Sequence, residues 1–452
     1  MAGSDVPAGI RDLYLKKYGF FFIMNEALNP DFSVNEWLSY FEQIHPRKID
    51  LTLDRMRRAA EVLGLVKIPG KIVTVTGTNG KGSVTNLLSR LLTASGYTVN
   101  LYNSPHLIRF NERINVHGQL VSDGLLLEAF REVEKARRQA GVSLTFFEIT
   151  TLAAFYAFRK YPADFVVLEV GMGGRFDSTN LLDAELAVIT NVALDHVAFL
   201  GSDREQIGYQ KAGILKSGRT LIYGEPDIPE SVEKYAREQN AGLYVIGRDY
   251  SYEIHGGGRS FDYRGPGRTV ENIAVPTIPV ENAVNVLCAL ELLQIRPDDD
   301  VLRREIAGFT MPGRMQKIAD NPDVYVDVGH NSHAFAYIRR KLALIDPGHK
   351  RRIIAVAGML KDKDFAVALN LIAPVIDRFY IGSIPGDRGT DAEDLKNALE
   401  DPEKRESSRC FSDVTEAYRQ ASADASSDDL ILVFGSFMTA GPVMEFIGDG
   451  GR

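Results

Sequence analysis

The chain has 452 residues with a formal net charge of −8, and 45% of its residues are hydrophobic. This length exceeds what one hydrophobic core usually holds, so we expect about two or three domains. The negative charge argues against a nonspecific nucleic-acid or membrane-surface binder, and no apolar run approaches the roughly 18 residues that span a bilayer. The two cysteines, Cys288 and Cys410, lie far apart outside any CxxC pattern, which is typical of a reducing cytosol. We therefore predict a cytoplasmic protein without a nucleic-acid or membrane partner.

Residues 1–34 are predicted to be an N-terminal extension, because recognisable organisation begins only at Asn35. The apolar run Phe20–Met24 is too short for the core of a signal peptide, and no small-residue cleavage site follows it. We expect Met24 to be the natural start and residues 1–23 to be an upstream extension.

Two amphipathic helices, Asn35–Phe41 and Leu53–Leu65, are predicted before the first strong motif. That motif is a buried β-branched strand, Ile72–Thr76, a glycine loop, Gly77–Ser83, and a helix with leucines at helical spacing. The N–H groups of such a loop and of the helix N-terminus favour an anion at one spot. Lys81 adds a positive charge that can reach the outer phosphates of a nucleotide.

The loop fits the general P-loop pattern imperfectly. Val75 stands where that pattern has a glycine, and Gly82 stands where it has Ser or Thr, with Ser83 one place late. A bare GxxGK is a weak signal, because glycines also serve simple turns. These residues alone support nucleotide binding and a tight structural turn about equally.

Strands and helices alternate after the loop. We predict strands at Tyr97–Tyr102, Asp164–Val170 and Ala187–Val192. We predict a charged, solvated helix at Glu128–Gln139 and a more buried helix at Glu148–Lys160. Near-continuous apolar strands are typical of parallel sheets that are covered on both faces. The alternation therefore predicts a doubly wound α/β sheet.

The second half of the chain begins with a different pattern. Ser251–Thr269 is glycine-rich and aromatic, which predicts a peripheral β-hairpin region, and a helix is predicted at Glu281–Leu293. The turn cluster Thr310–Arg314 is the predicted domain boundary. After it, strands are predicted at Val324–Val328, Ile353–Ala357, Arg378–Ile381 and Leu430–Phe434. We therefore predict two α/β domains, residues 35–311 and residues 312–452.

Polar side chains follow the predicted strands at their carboxyl ends, where ligands bind in open parallel sheets. They are Ser104, His106, Glu169, Asp195, His196, Asp327, His330, Asn331 and Gly435–Ser436. A bound nucleoside triphosphate needs a divalent cation, and Glu169 is the natural oxygen ligand for Mg²⁺. Each residue alone has a plainer explanation, with Glu169 as a loop cap, His196 as a packed histidine and Asp177 as a turn residue. Together with the glycine loop and its Lys81, these residues favour a nucleotide-dependent enzyme with an ATP–Mg²⁺ site.

The motifs taken together are similar to those of one family. They are Gly77–Ser83, Ser104–Leu107, Arg109–Arg113, Glu169–Arg175, Leu194–His196, Lys211–Ile214, Pro312–Arg314, Asp327–Asn331, Gly358–Asp364 and Gly435–Phe437. In this order they resemble the folylpolyglutamate synthase/dihydrofolate synthase family of the ATP-dependent Mur ligase superfamily. Gly-Thr-Asn-Gly-Lys is shared by the superfamily, whereas Ser-Pro-His-Leu with Phe-Asn-Glu-Arg is much more specific for the folate branch.

The resemblance implies a two-domain Mur-ligase-like α/β fold. A P-loop-type N-terminal domain with a mostly parallel sheet would bind ATP, and a smaller Rossmann-like C-terminal α/β domain would be the glutamate ligase domain. The implied reaction is amide ligation, in which ATP phosphorylates a substrate carboxylate and the amine of L-glutamate attacks the acyl phosphate. The implied substrates are dihydropteroate and reduced folates, the implied metal is Mg²⁺ with two ions expected, and the implied state is a monomer. Positive charge from Lys81, Arg314 and Mg²⁺ would allow one anion to attack another.

The family motifs also imply site residues, one position at a time. Those implied for ATP are Thr78, Asn79, Gly80, Lys81, Gly82, Ser83, Asn282, Arg314 and Asp327. Those implied for Mg²⁺ are Ser104, Glu169 and His196. Those implied for the pteroate part of the substrate are Gln43, Ile44, Thr145, Phe146, Phe147, Glu148, Phe176, Asp177 and Ser178. Lys81, His330 and a carbamylated Lys211 are implied to be catalytic, with the carbamate helping to hold a second Mg²⁺.

Three departures from the family pattern leave the fine specificity open. Gln210 replaces a usual glutamate, Ser332 replaces a usual proline, and Ile278–Pro279 stands where many relatives have His-Gln. The last variant resembles the bifunctional bacterial enzymes. The alternatives are a monofunctional folylpolyglutamate synthase, a UDP-muramyl peptide ligase, and a nucleotide-binding regulatory module. A UDP-muramyl ligase would lack the Ser-Pro-His-Leu motif, and a regulatory module would need no second metal position.

Overall fold

The computed structural model describes residues 32–361 and 365–450. They form two compact units, of which the first contains the described residues up to Ile68 together with Val121–Tyr161. The second unit contains Pro69–Leu120 and the described residues from Pro162 onward. Most of the predicted N-terminal extension, including the predicted start at Met24, lies outside the described residues, as does Asp362–Asp364 of one motif.

The strands of the described residues form three sheets, all of them in the second unit. In chain order they are β1 (Lys71–Thr76), β2 (Val99–Tyr102), β3 (Ile114–Val116), β4 (Gln119–Leu120), β5 (Phe165–Glu169), β6 (Leu186–Ile189), β7 (Thr220–Tyr223), β8 (Gly242–Val245), β9 (Ser251–His255), β10 (Ser260–Arg264), β11 (Thr269–Ala274), β12 (Gln316–Ala319), β13 (Asp323–Asp327), β14 (Ile353–Ala357), β15 (Arg378–Gly382), β16 (Arg409–Phe411) and β17 (Leu430–Phe434).

The α-helices alternate with most of these strands. In chain order they are α1 (Val34–Phe41), α2 (Asp54–Leu63), α3 (Lys81–Ala94), α4 (Asp123–Ala140), α5 (Phe146–Lys160), α6 (Val197–Leu200), α7 (Arg204–Ala212), α8 (Glu230–Glu238), α9 (Val280–Leu292), α10 (Asp299–Ala307), α11 (Ser332–Ile345), α12 (Phe365–Ile372), α13 (Ala392–Asn397), α14 (Pro402–Ser407), α15 (Val414–Asp424) and α16 (Phe437–Gly448). Among the described helices, none is both long and apolar enough to cross a bilayer.

The first unit is built from the helices α1, α2, α4 and α5. A capping box between Ser33 and Glu36 starts α1, which buries Trp37 and Phe41. The ring of Phe130, on α4, contacts both of these aromatic rings, at centroid distances of 6.4 and 5.2 Å. Aromatic packing between α1 and α4 therefore anchors the start of the described chain.

The prediction of a solvated helix at Glu128–Gln139 was wrong. The helix, α4, begins five residues earlier at Asp123 and buries one face, and that face includes two charged side chains, Glu134 and Arg137. Arg137 Nε donates to Glu134 Oε2 at 2.6 Å and its Nη2 donates to Oε1 at 2.7 Å. The two charges can be buried because each satisfies the other through a bidentate pair, which a count of charged residues does not reveal.

The largest sheet has the strand order β4-β3-β2-β5-β1-β6-β7-β8. The strands from β2 to β8 in this order are parallel, and at one edge β3 pairs antiparallel with both β2 and β4. Apolar residues of α3 and α9 pack with those of β1, β5 and β6 in one core. The register pairs Val75 of β1 with Glu169 of β5, so the carboxylate stands beside the start of the glycine loop.

The C-terminal sheet has the order β12-β13-β17-β14-β15-β16, and all its strands are parallel except β12. The predicted hairpin at Ser251–Thr269 is part of a three-stranded antiparallel sheet, because β11 adds a third strand that buries Val270 and Ile273. The predictions of α/β alternation and mostly parallel sheets are confirmed.

Candidate active site

The glycine loop joins β1 to α3, and Gly80 is the residue before the helix begins. Gly80 has φ +84°, and a β-carbon there would lie 2.6 Å from Oδ1 of Asn282, so a side chain has no room. Asn282 is on α9 and is only 4% exposed. The Lys81 ammonium donates to the carbonyl oxygens of Gly77 at 3.0 Å and Thr78 at 3.3 Å. The first turn of α3 thus directs N–H groups and one cation to the same place, which suits a phosphate.

The glycine loop is held by hydrogen bonds from Thr190 and Asn191, the two residues that follow β6. Asn191 Oδ1 accepts from the N–H groups of Thr78 at 3.1 Å and Asn79 at 2.9 Å. Thr190 Oγ1 donates to the carbonyl oxygen of Asn79 at 2.6 Å. Sequence reasoning missed both residues, although their position at the end of the predicted strand was a usable signal. Because Asn191 engages the N–H groups of Thr78 and Asn79, the N–H groups from Gly80 to Ser83 are the better candidates for phosphate contacts.

Glu169 ends β5 and is only 6% exposed. Its Oε2 accepts from the N–H of Ser104 at 3.1 Å, and a β-carbon on Gly82 would lie 3.4 Å from the same oxygen. Burial raises the pKa of Glu169 above the usual carboxyl range, and the positive charge of Lys81 is the largest influence that opposes this rise. The structure therefore brings Ser104 and Glu169 together with the glycine loop Gly77–Ser83, which we call the phosphate loop.

Lys211 lies on α7 and is only 3% exposed. Burial, assisted by the positive charge of Lys81, lowers the pKa of Lys211 to about 7, while Asp195 and Asp177 act in the opposite direction. An amine with a pKa near neutrality is unprotonated in a large fraction of molecules, so it can act as a nucleophile. This environment suits a lysine that is modified by CO₂.

His196 immediately precedes the short helix α6 as its N-cap and has a left-handed backbone, φ +51°. Its N–H donates to Asp195 Oδ1 at 2.8 Å, and its ring Nε2 lies 3.9 Å from Asp195 Oδ2. In the described part of the chain, no group of three or more His, Cys, Asp and Glu side chains meets the geometry of a metal site. The predicted set has only two such side chains and a serine hydroxyl. A buried carboxylate, a hydroxyl and an imidazole are nevertheless donors that suit a divalent cation with retained waters.

Two charged residues of the C-terminal sheet region face the same centre. Asp327 ends β13, and its oxygens accept from the N–H groups of Met315 at 2.8 Å and Gly329 at 2.7 Å. The Arg314 guanidinium lies 5.3 Å from the ring centroid of Phe437. Burial lowers the pKa of Arg314, and the charges of Asp327 and Glu169 oppose that change. Arg314 thus shares one electrostatic environment with carboxylates that follow strands of both large sheets.

The C-terminal region also contacts the phosphate loop directly. Asn331 Nδ2 donates to Asn79 Oδ1 at 3.0 Å, and Asn79 Nδ2 donates to Asn331 Oδ1 at 3.2 Å. Asn331 is also the N-cap of α11. His330 Nδ1 lies 3.0 Å from the carbonyl oxygen of Val328, so this nitrogen carries the proton and Nε2 is the acceptor of the neutral ring. A residue pair 252 positions apart therefore joins the predicted nucleotide site to the C-terminal region.

The residues predicted to bind pteroate are divided between the two units. Gln43, Ile44 and Thr145–Glu148 lie in the helical unit, and Phe176–Ser178 lies in the other unit. Glu148 is 2% exposed, forms a capping box with Thr145, and lies 3.3 Å from Arg55. These contacts hold Phe146 and Phe147 at the start of α5, and both rings remain partly exposed.

Asp177 and Phe176 differ sharply in exposure. Asp177 is 3% exposed and accepts from the N–H groups of Met172 at 2.9 Å and Thr179 at 3.0 Å. Phe176 is 45% exposed. Asp177 therefore shapes its own loop, while the neighbouring ring is accessible.

Comparison with known proteins shows which family this chain matches. Residues 75–293 match the Mur ligase middle domain, and residues 313–437 match the Mur ligase glutamate ligase domain. Dihydrofolate synthase/folylpolyglutamate synthase from Escherichia coli K12 is 40% identical over 412 residues, which cover 91% of this chain and 94% of the relative. The relative of the same name from Haemophilus influenzae is 35% identical and covers 93% of this chain and 98% of its own length.

Solved structures agree with the sequence matches. E. coli FolC in complex with DHPP and ADP has a TM-score of 0.88 at 38% identity, covering 94% of this chain and 100% of that chain. A bifunctional folylpolyglutamate synthase/dihydrofolate synthase with Mn, AMPPNP and L-glutamate bound has a TM-score of 0.86 at 37% identity, covering 94% and 100%.

The two Mur ligase domains and the phosphate loop define an ATP-dependent ligase with the two-domain Mur-ligase-like fold. The chain belongs to the dihydrofolate synthase/folylpolyglutamate synthase family. The predicted family, fold class and enzyme class are therefore confirmed.

Proposed function

We propose that this chain uses ATP to join L-glutamate to dihydropteroate and to reduced folates. The observation that carries this proposal is the grouping of Lys81, Glu169, Lys211, Arg314 and Asp327, whose charges act on one another. Relatives that carry both activity names match most of this chain, and solved relatives hold ADP, AMPPNP, DHPP and L-glutamate. One relative named only folylpolyglutamate synthase matches 74% of this chain at 31% identity, so we favour the bifunctional enzyme over a monofunctional one.

We assign the nucleotide to the phosphate loop and its neighbours. The N–H groups from Gly80 to Ser83 and the Lys81 ammonium would bind phosphates, with Thr78 and Asn79 completing the loop. Asn282, Arg314 and Asp327 would contact the nucleotide from α9 and from the C-terminal region. The domain limits 35–311 and 312–452 stay part of this proposal, as do a monomeric state and a cytoplasmic location.

The enzyme uses ATP and a divalent metal, and solved relatives contain Mn. We propose Mg²⁺ in the cell, held by Ser104, Glu169 and His196, with a second ion assisted by a carbamate on Lys211. The metal would neutralise phosphate charge and polarise the reacting oxygens. Gln43, Ile44 and Thr145–Glu148 of the helical unit, and Phe176–Ser178 of the other unit, stay our candidates for recognition of the pteroate part.

The proposed reaction has two steps, and each step balances. A carboxylate oxygen of the folate substrate attacks the γ-phosphorus of ATP, and the bond to ADP breaks. The amine of L-glutamate then attacks the acyl carbon, phosphate leaves with the former carboxylate oxygen, and a proton passes to a base. His330 is the candidate base, because its Nε2 is the acceptor of the neutral ring.

This reaction makes an isotopic prediction. When dihydropteroate carries ¹⁸O in its carboxylate, the released phosphate should contain a labelled oxygen, because the bond between the acyl carbon and that oxygen breaks. Mass spectrometry of the phosphate measures the label, and unlabelled dihydropteroate is the control. Phosphate that is released in step with the amide product but carries no label would exclude an acyl phosphate.

A further inference from the structure

The loop after β2 reaches from the candidate metal site to the C-terminal region. At one end, the N–H of Ser104 donates to Glu169 Oε2 at 3.1 Å. Three residues later, the side chain of Leu107 packs against the hydrophobic core that lies on one face of the C-terminal sheet. One short segment therefore touches both the buried carboxylate and a different sheet of the same unit.

The contact at Leu107 is close enough to exclude a single methyl group. A β-carbon on Gly441 of α16 would collide with the carbonyl oxygen of Leu107, so the helix backbone lies directly on the loop backbone. A β-carbon on Gly313 would lie 3.3 Å from both Cδ atoms of Leu107. The loop is thus seated between two glycines of the C-terminal region.

Hydrogen bonds within the loop hold several of its N–H groups. Glu112 accepts from the N–H groups of Leu107 at 2.7 Å, Ile108 at 3.0 Å and Arg109 at 2.7 Å. His106, between Ser104 and Leu107, accepts at Nδ1 from Arg113 Nε at 2.8 Å. With its N–H groups fixed in this way, the segment should shift as one body rather than absorb a push at Leu107.

We propose that Gly441 is a positioning residue for the metal site, because its contact with Leu107 holds Ser104 beside Glu169. This inference rests on the proposed function for the identity of the site, but the contact is testable without substrate. It also gives a physical reason for a glycine within α16, where alanine would otherwise favour the helix.

The test compares Gly441→Ala with Gly448→Ala in the full chain. Gly448 ends the same helix, and a β-carbon there would meet no atom within 4 Å, so it controls for an added methyl group that touches nothing. Hydrogen–deuterium exchange of the 103–112 segment should become at least about tenfold faster in Gly441→Ala and stay unchanged in Gly448→Ala. Leu107→Ala removes the packing of this side chain against the C-terminal region, so it should also accelerate exchange in the 103–112 segment.

Activity gives the second readout. A displacement of about 1 Å at a catalytic site can cost about 100-fold in rate. The kcat of Gly441→Ala should therefore fall by up to about 100-fold. Half-maximal activity of this variant should also need a higher Mn²⁺ concentration. Thermal unfolding of the three variants shows whether each remains folded. Unchanged exchange in the 103–112 segment of a folded Gly441→Ala variant would overturn the inference. If exchange is faster in Gly441→Ala but the wild-type chain ligates no folate, the result would support the contact and count against the proposed function.

Discussion

Replacing Lys211 with alanine should lower kcat by at least about 100-fold, and Lys211→Glu should restore part of that loss. Lys211 is 3% exposed, and burial lowers its pKa to about 7. The neutral amine can add CO₂ and release a proton, which converts a cation into a carbamate anion beside Lys81. Alanine removes that anion, whereas glutamate supplies a carboxylate on a shorter side chain.

The same reasoning predicts the direction of a pH effect. Below pH 7 the amine of Lys211 becomes increasingly protonated, and a protonated amine cannot hold CO₂. Activity that depends on the carbamate should therefore fall as the pH decreases from about 8 to about 6. The Lys211→Glu variant should keep its activity over this range better than the wild-type enzyme does.

Nuclear magnetic resonance with ¹³C-bicarbonate measures the carbamate itself. The wild-type enzyme should show one carbamate signal that is lost in both variants. Lys216→Ala is the matched control, because Lys216 follows Lys211 closely in the sequence but is partly exposed and pairs with Asp183 at 3.0 Å. Wild-type activity in Lys211→Ala would contradict the role proposed for this lysine.

Replacing Glu169 with glutamine should remove divalent metal binding and lower kcat by about 1,000-fold. Metal ions contribute several kcal/mol of transition-state stabilisation, and each 1.36 kcal/mol corresponds to a factor of ten. Glutamine keeps the volume of the side chain but leaves the nearby positive charges of Lys81, Arg314 and Arg113 without this carboxylate. Electron paramagnetic resonance of Mn²⁺ measures the binding directly.

Glu185→Gln is a suitable control, since Glu185 is partly exposed and lies 3.9 Å from Arg219 in the same unit. This variant should bind Mn²⁺ as the wild-type enzyme does. Thermal unfolding must accompany both measurements, because removing Glu169 also removes an attraction to three cations. A folded Glu169→Gln variant with unchanged Mn²⁺ affinity would show that the metal binds elsewhere.

The local features of the site could be predicted from the sequence, because they depend on neighbours in the chain. The β-branched run before Gly77 and the leucines after Ser83 predicted the strand, loop and helix. The apolar strand that ends in Glu169 predicted a carboxylate at the sheet edge, and parallel pairing with β1 brought it beside the loop. The family motifs then supplied roles that the residues alone left open, as they did for His196 and Lys211.

Contacts between distant parts of the chain could not be predicted in this way. The Asn79–Asn331 pair joins loops that follow strands of two different sheets, and nothing in either local sequence specifies the other partner. Asn191 was predicted to lie within a strand, but the strand ends at Ile189 and the Asn191 side chain accepts from two N–H groups of the phosphate loop. Charged residues on α4 predicted exposure, and the bidentate pairing of Glu134 with Arg137 allowed burial instead.

ATP turnover by this chain should require a folate-type acid and L-glutamate together. The most direct measurement is ADP and phosphate release by the full chain with Mg²⁺ and defined pairs of substrates. We predict release with dihydropteroate plus L-glutamate and with a reduced folate plus L-glutamate, and little with either component alone. Release that requires a UDP-muramyl substrate, or that does not depend on either folate substrate, would contradict this requirement.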